Sequence, residues 1–386
     1  MSCPAHEVSD ILTRHWSSIE QSTRFNSWQI RTLKAIKNCR TADMGSHVDA
    51  CPECGHIRIS YNSCRNRHCP KCQCRQREDW IQAREEELLP VPYFHAVFTL
   101  PDTLNPLCLH KTGEMYSLLF QTAWSVIKSF AGDAKWLGAK PGMIAILHTW
   151  GQTMVMHPHL HCIVPGGGLA SDNTWKQGKN NGKFLFPVKA MSKVFKGRFI
   201  QALKNRFPDE TDKNFLYKLY NKDWVVYAKR CFATPKHVIE YLGRYTHKIA
   251  ISNHRILDIT DTQVTFSYKD YRQGGGKKTM MLDALEFVAR FSLHILPKKF
   301  VKIRHYGILS SSGKRKCSMI IKEQLTDLIT LEKFQTPDCR PRPAKYNPKI
   351  CPCCNKETMQ TILHFNGRPP PENWMEIAGK ILNTIR

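Results

Sequence analysis

The string His157-Pro158-His159-Leu160-His161 sets two imidazoles, His159 and His161, two residues apart. In an extended strand successive side chains alternate between faces, so both rings project from one side while Leu160 turns toward the core. That is how a strand presents two nitrogens to one metal ion. With 17 His in 386 residues, chance alone supplies roughly 0.75 such spacings, so the pair needs a companion before it carries weight. His157 makes a second pair of the same spacing, but Pro158 disfavours a regular ladder between them. The companion is Tyr241-Leu-Gly-Arg-Tyr245, in the segment TPKHVIEYLGRYTHK (234 to 248), which reads as a helix. Residues four apart share a helical face, so the two phenols point the same way. Alone, the pair reads as an aromatic core stripe. Beside HPHLH the balance turns from a core stripe toward a functional pair.

Cysteine supplies the second chemistry. Cys51-x-x-Cys54 and Cys69-x-x-Cys72 are two knuckles a short loop apart, and a knuckle places both sulfurs on one side of the backbone. The four thiolates, Cys51, Cys54, Cys69 and Cys72, are expected to hold one tetrahedral structural zinc. His47, His56, Cys64, His68 and Cys74 crowd the same block and could replace a ligand or build a second site. Arg58, Arg65, Arg67, Lys71, Arg75 and Arg77 surround it, which suits a DNA-reading module as well as a brace for the catalytic unit. The later Cys351-x-x-Cys354 lacks a clear second pair; Cys339, Cys353 and His364 are possible helpers.

The elements that must position these groups follow from periodicity. Residues 1 to about 46 read as helical, and the cysteine block leads into a charged spacer helix, RQREDWIQAREEELL, with a boundary near Pro90 to Pro92. Tyr93 to Leu100 alternates as a half-buried strand, 106 to 131 switches to helical spacing, and GMIAILHTW and HLHCIVP are two further strands. A helix over about 189 to 206, the strand WVVYAK (224 to 229) and the tyrosine helix complete the order β, α, β, β, α, β, α. That order predicts an α+β fold, an antiparallel sheet with helices on one side, joined to a small helical and zinc-ribbon-like N-terminal domain. The expected division is 1–92, 93–310 and a basic, Cys-containing 311–386.

Composition narrows the partner. Lys and Arg outnumber Asp and Glu by 57 to 32, and a formal charge of +25 exceeds what solubility requires, so a polyanion is expected. No apolar run approaches a spanning helix and the start, MSCPAHEVSDILTRHW, has no signal-peptide layout, which points to the cytoplasm and to nucleic acid. The sixteen cysteines then read as reduced thiols rather than a disulfide framework. The run from Lys298 to Lys316, with Lys298, Lys299, Lys302 and Arg304 at its start, is interleaved with Phe300, His305 and Tyr306, which could stack on unpaired bases. Arg244, Lys248, Lys229 and Arg230 meet phosphates or form a solvated helix face.

Taken in order, YNSCRNRHCPKCQ, FTLP (98 to 101), LHTWGQ (147 to 152), HPHLHCIVPGGG, YLGRYTHKIAIS and the tail CPCC make the chain resemble the HUH-type rolling-circle transposases of the insertion-sequence ninety-one family, in its two-tyrosine form. The resemblance covers most of the chain. It implies an HUH endonuclease fold, ferredoxin- or RRM-like, acting on single-stranded DNA and insertion-sequence ends in a bacterial-type nucleoid. It implies that Tyr241 and Tyr245 attack phosphodiesters to give a 5′-phosphotyrosine and a free 3′-hydroxyl, beside magnesium or manganese held by His159 and His161. A third ligand is needed: Gln152 is the first choice, with His148 and His157 as rivals. Three other functions compete. A replication initiator or relaxase shares the chemistry but not the cysteine-rich start, a zinc-dependent DNA-binding regulator lacks the chemistry, and a small-molecule metallohydrolase is disfavoured by the charge.

Overall fold

The computed structural model describes residues 4–73, 88–179, 185–232, 249–329 and 347–385. The spacer helix and the tyrosine helix expected from the sequence, with Tyr241, Tyr245, Arg244 and Lys248, lie outside these residues, as do Cys74 and Cys339.

Helices α1 (Val8–Arg14), α2 (Trp16–Gln21) and α3 (Ser27–Lys37) open the chain. Asn26 caps α3 by accepting from the Gln29 backbone, and Gln29 reaches back to the Asn26 N–H. The expected helical stretch ends earlier than 46, because Gly45, at φ 76°, starts strand β1 (Gly45–Ala50), which pairs with β2 (Ile57–Tyr61). Strand β3 (Tyr93–Thr99), helices α4 (Asn105–His110) and α5 (Thr112–Gly132), and strands β4 (Gly142–Trp150) and β5 (Met156–Pro165) follow. Next come the small β6 (Gly167–Leu169) and β7 (Trp175–Gln177), helices α6 (Val188–Arg206) and α7 (Lys213–Asn221), and β8 (Val226–Phe232). The last third holds β9 (Ile256–Ile259), β10 (Gln263–Asp270), β11 (Gly276–Asp283), α8 (Ala284–Ser292), β12 (Ile303–Gly307), α9 (Lys314–Ile329), β13 (Gln360–Asn366) and α10 (Trp374–Ile385).

The fold is α+β, as the periodicity implied. Its centre is a five-stranded sheet in the order β12-β4-β5-β3-β8, with every neighbouring pair antiparallel. One face carries Ala96, Phe98, Ala145, Leu147, Leu160 and Cys162, all fully buried under α5 and α6, whose Leu119, Val126, Phe195 and Phe199 complete the core. Burying aromatic and aliphatic side chains of this size contributes roughly 1.5–3 kcal/mol each. The other face is not bare. Ile144, Ile146 and Ile163 pack against Leu88, Leu89, Ile321 and Leu325, so α9 covers part of the side expected to lack helices. The basic start of α9, KRKC, hid its apolar stripe from the sequence reading.

Two further sheets frame this centre. Strands β11-β10-β9 with α8 pack through Val264, Phe266 and Phe287 onto Ile11, Leu12 and Leu33 of the N-terminal helices. The other sheet, β13-β1-β2, takes its edge strand from the far end of the chain. Contacts therefore cross both boundaries at which the sequence divides.

Candidate metal centre and active site

Three imidazoles converge on the partly open end of the central sheet. His148 on β4 lies opposite His159 on β5 in the ladder, and His161 is two residues further on, so the alternation of strands puts all three on one face. One nitrogen of each lies within 4.8 Å of the others. His148 and His161 are buried and His159 is half-buried, so access is from the His159 side. Leu160, fully buried on the opposite face, fixes the register: a one-residue slip would send Leu160 to the site and both histidines to the core.

Hydrogen bonds orient the rings. The Nδ1–H of His159 donates to the His157 carbonyl at 2.6 Å. Nδ1 of His161 lies 2.8 Å from Nε2 of His95, a buried residue on β3 whose pKa burial lowers to about 4. The Nε2 atoms of His159 and His161 lie 3.2 Å apart. At roughly 2.1 Å per bond, nitrogens in adjacent positions on one ion lie roughly 3.0–3.4 Å apart, so the donor set fits a divalent cation.

Gln152 and His148 are the two candidates for the third position that the structure describes near this end of the sheet. The side-chain oxygen of Gln152 accepts from the Lys269 N–H at 3.5 Å and its carbonyl from Arg255, which ties Gln152 to β10 and its surroundings. His148, one of the rivals, takes the place beside the pair, its ring stacked on Trp150 at 4.7 Å. His157 is exposed and supplies a carbonyl to His159. Sequence reasoning missed His95; a His in an otherwise apolar strand, YFHAVFT, was the available signal.

Behind Trp150 lies a cationic patch. Lys302 sits over the Trp150 ring at 5.1 Å, and burial with the neighbouring Arg67 guanidinium lowers its pKa to about 7. Arg67 donates to the Pro297 carbonyl at 2.8 Å. His294 accepts from the Thr149 hydroxyl at 3.0 Å and donates to the Met154 carbonyl at 2.9 Å, and burial lowers it to about 4. Because its folded pKa lies below its unfolded value near 6.5, the unfolded state binds the extra proton first, and stability should fall as pH drops from about 6.5 to about 4. The loss is on the order of 3 kcal/mol, and His294→Gln should flatten that part of the pH profile in urea titrations. An unchanged profile would mean that His294 titrates normally.

The basic run beyond α8 is used differently from the expectation. Lys298 and Lys299 are exposed, as a backbone-following role requires. Arg304, however, lies over the Phe120 ring at 4.3 Å and donates to the Ser117 hydroxyl at 3.2 Å. Phe300 packs against Tyr116 and Tyr306 stacks on Trp124 at 5.2 Å, so both rings are partly buried against the core. Lys229 is exposed on β8, across the ladder from His95.

The cysteines are sorted into two sets rather than one. Cys69 and Cys72 join Cys64 and Cys39, with Cys72 Sγ at 3.6 Å from Cys39 and 3.7 Å from Cys64. Cys51 and Cys54 face Cys351 and Cys354 instead. The two knuckles nearest in sequence are separated by β2, which carries the chain away between them. Zinc–sulfur bonds of about 2.3 Å in a tetrahedron put sulfurs about 3.8 Å apart, so the Cys39, Cys64, Cys69 and Cys72 thiols fit zinc. Cys39, at the end of α3, gave no local signal. His68 is half-buried and accepts from the Leu296 N–H, and His47 lies beside His364 across the β1–β13 ladder, so neither joins a thiol set.

Residues 11–100 match a family model described as a transposase zinc-binding domain, and residues 142–316 one described as a putative transposase. Among curated proteins, the chain is 39% identical to putative transposase y4qJ of Sinorhizobium fredii, over 95% of this chain and 98% of that one. The chain belongs to the insertion-sequence ninety-one transposase family. It is also 26% identical to the transposase for insertion sequence element IS801 of Pseudomonas savastanoi pv. phaseolicola, over 77% of this chain and 74% of that one. No solved structure matches this transposase. None of its described helices is long and apolar enough to cross a membrane.

Proposed function

We propose that this transposase nicks and rejoins single-stranded DNA at insertion-sequence ends, with Tyr241 and Tyr245 as nucleophiles and His148, His159 and His161 as holders of a divalent metal, manganese in the first instance. The observation that carries the reading is the convergence of one ring nitrogen from each of His148, His159 and His161 within 4.8 Å of one another, with the Nε2 atoms of His159 and His161 3.2 Å apart. Bound there, magnesium or manganese would neutralise charge on the scissile phosphate. A tyrosine oxygen forms the new bond to phosphorus, the bond from phosphorus to the 3′-oxygen breaks, and the phenolic proton is lost to solvent while the 3′-oxygen gains one. The phosphotyrosine is an ester of energy comparable to the one broken, so a second hydroxyl can reverse the step without ATP.

The segment bearing both tyrosines joins β8, where Tyr227 lies 6.4 Å from His95 ring to ring, to Ile249 and Ala250, which line a pocket with Trp150 and Lys302. Ile249 and Ala250 thus lie beside Trp150, whose ring stacks on His148, while the β8 end, Phe232, lies opposite Tyr93. The exposed Lys298 and Lys299 supply charge for the DNA backbone. Incubating the full chain with single-stranded DNA carrying an element end should give a DNA-linked protein band on a denaturing gel with manganese and none with excess chelator. A protein that binds DNA but never forms the band under either condition would be a zinc-dependent DNA-binding regulator instead.

A further inference from the structure

We propose that the transposase holds a second zinc ion in a site built from both ends of the chain, with Cys51 and Cys54 supplied by the loop after β1 and Cys351 and Cys354 by the turn before β13. One thiol of each lies within 4.8 Å of the others, with Cys51 Sγ 3.8 Å from Cys354 and Cys54 Sγ 3.5 Å from Cys351. These are the separations of a tetrahedral four-thiolate zinc.

The two halves are built alike, which scattered free thiols would not be. Each reads Cys-Pro-x-Cys, and the residue after the second cysteine turns into the left-handed region, Gly55 at φ 81° and Asn355 at φ 56°. In one half the Cys51 N–H donates to His56 O at 2.9 Å and Gly55 N–H to Cys51 O at 3.0 Å. In the other the Cys351 N–H donates to Lys356 O at 2.8 Å and Asn355 N–H to Cys351 O at 2.9 Å. Gly and Asn are the residues that accept this conformation at least cost. Each turn therefore aims two sulfurs at a common point, and the two points coincide. This site is separate from the Cys39, Cys64, Cys69 and Cys72 set, and half of its donors lie beyond both matched family regions.

The surroundings are shaped for the union. Strand β13 pairs with β1 from Gly45 opposite Asn366 to Ala50 opposite Gln360. A Cβ at Gly45 would come within 2.1 Å of the Phe365 carbonyl, so only glycine lets the strands approach there. Asp49, buried on β1, accepts from Arg58 and from the Thr361 hydroxyl of β13, and Lys356 pairs with Glu53 across the two turns. Zinc is a clasp in this arrangement: it closes a sheet whose three strands come from opposite termini and so seats the C-terminal segment on the N-terminal domain. Structural zinc of this type contributes folding free energy directly.

The unaltered protein gives the first test. Cys54 and Cys353 are both exposed, yet only Cys54 belongs to the cluster. Alkylation of the native full chain, read by peptide mass spectrometry, should modify Cys353 at least roughly tenfold faster than Cys54, with the difference abolished by a strong chelator. Native mass spectrometry should find two zinc ions per chain, falling to one in Cys351→Ser/Cys354→Ser and staying at two in Cys353→Ser. Equal alkylation of Cys54 and Cys353 in zinc-replete protein, or two zinc ions retained in the double variant, would overturn the proposal. Should the double variant fail to fold, the alkylation result on the native chain decides.

Discussion

A chain carrying Tyr241→Phe together with Tyr245→Phe should form no covalent DNA adduct while keeping its fold and its affinity for single-stranded DNA. Phenylalanine retains the ring, so whatever packing the two residues provide survives; only the hydroxyl oxygens are removed. If those oxygens are the nucleophiles, the loss is roughly a thousandfold or more, about 4 kcal/mol in the barrier, and no other group substitutes. Each single variant behaves differently, because one hydroxyl remains. Either should still form an adduct, mapped by mass spectrometry to the surviving tyrosine, yet neither should complete transposition, since handling two strands in succession needs two acceptors. An aromatic core stripe predicts the opposite: both single changes would be silent for transposition. Covalent DNA on a third residue, or full adduct in the double variant, would falsify the assignment.

What the sequence made legible was what local periodicity controls. The strands at Tyr93–Thr99 and Gly142–Trp150 and the helix at Val188–Arg206 were readable because each buries one face at a regular spacing. The pair His159 and His161 was readable for the same reason, since a strand's period of two is a local rule. His148 and His95 were harder. Their place depends on which residue of β4 or β3 lies opposite which residue of β5, and pairing register is not written in either strand alone.

The cysteines show the same limit at longer range. Pairing the two knuckles nearest in sequence, Cys51-x-x-Cys54 with Cys69-x-x-Cys72, minimises the loop to be closed, which is the natural inference when only spacing is known. The fold does otherwise, because β13 crosses the molecule to lie beside β1 and brings Cys351 and Cys354 with it. Composition was equally silent on the packing of Phe300, Arg304 and Tyr306. Aromatic and basic residues in alternation suit unpaired bases, and they suit equally an edge strand laid over the aromatic residues of α5, which is the packing these side chains have.

His159→Ala and His161→Ala should each abolish manganese-dependent cleavage, by roughly a hundredfold or more, while leaving single-strand binding near its original strength. Neutral imidazoles on a metal contribute nothing to the counterion release that dominates DNA affinity, so the salt dependence of binding should be unchanged. The two variants should not be equivalent in stability. His159 is half-buried and its Nδ1–H bonds to a neighbouring carbonyl, so its removal opens little of the core. His161 is buried and hydrogen-bonded to His95, so its loss removes a buried hydrogen bond, a cost of roughly 1–3 kcal/mol. His161→Gln can keep a polar contact with His95 while failing to replace the imidazole at the metal, which separates the two effects: stability should recover toward that of the unaltered chain and cleavage should not. Manganese affinity, followed by electron paramagnetic resonance without DNA, gives the readout that a packing defect does not move. Undiminished cleavage by either alanine variant at limiting manganese would remove that histidine from the metal centre.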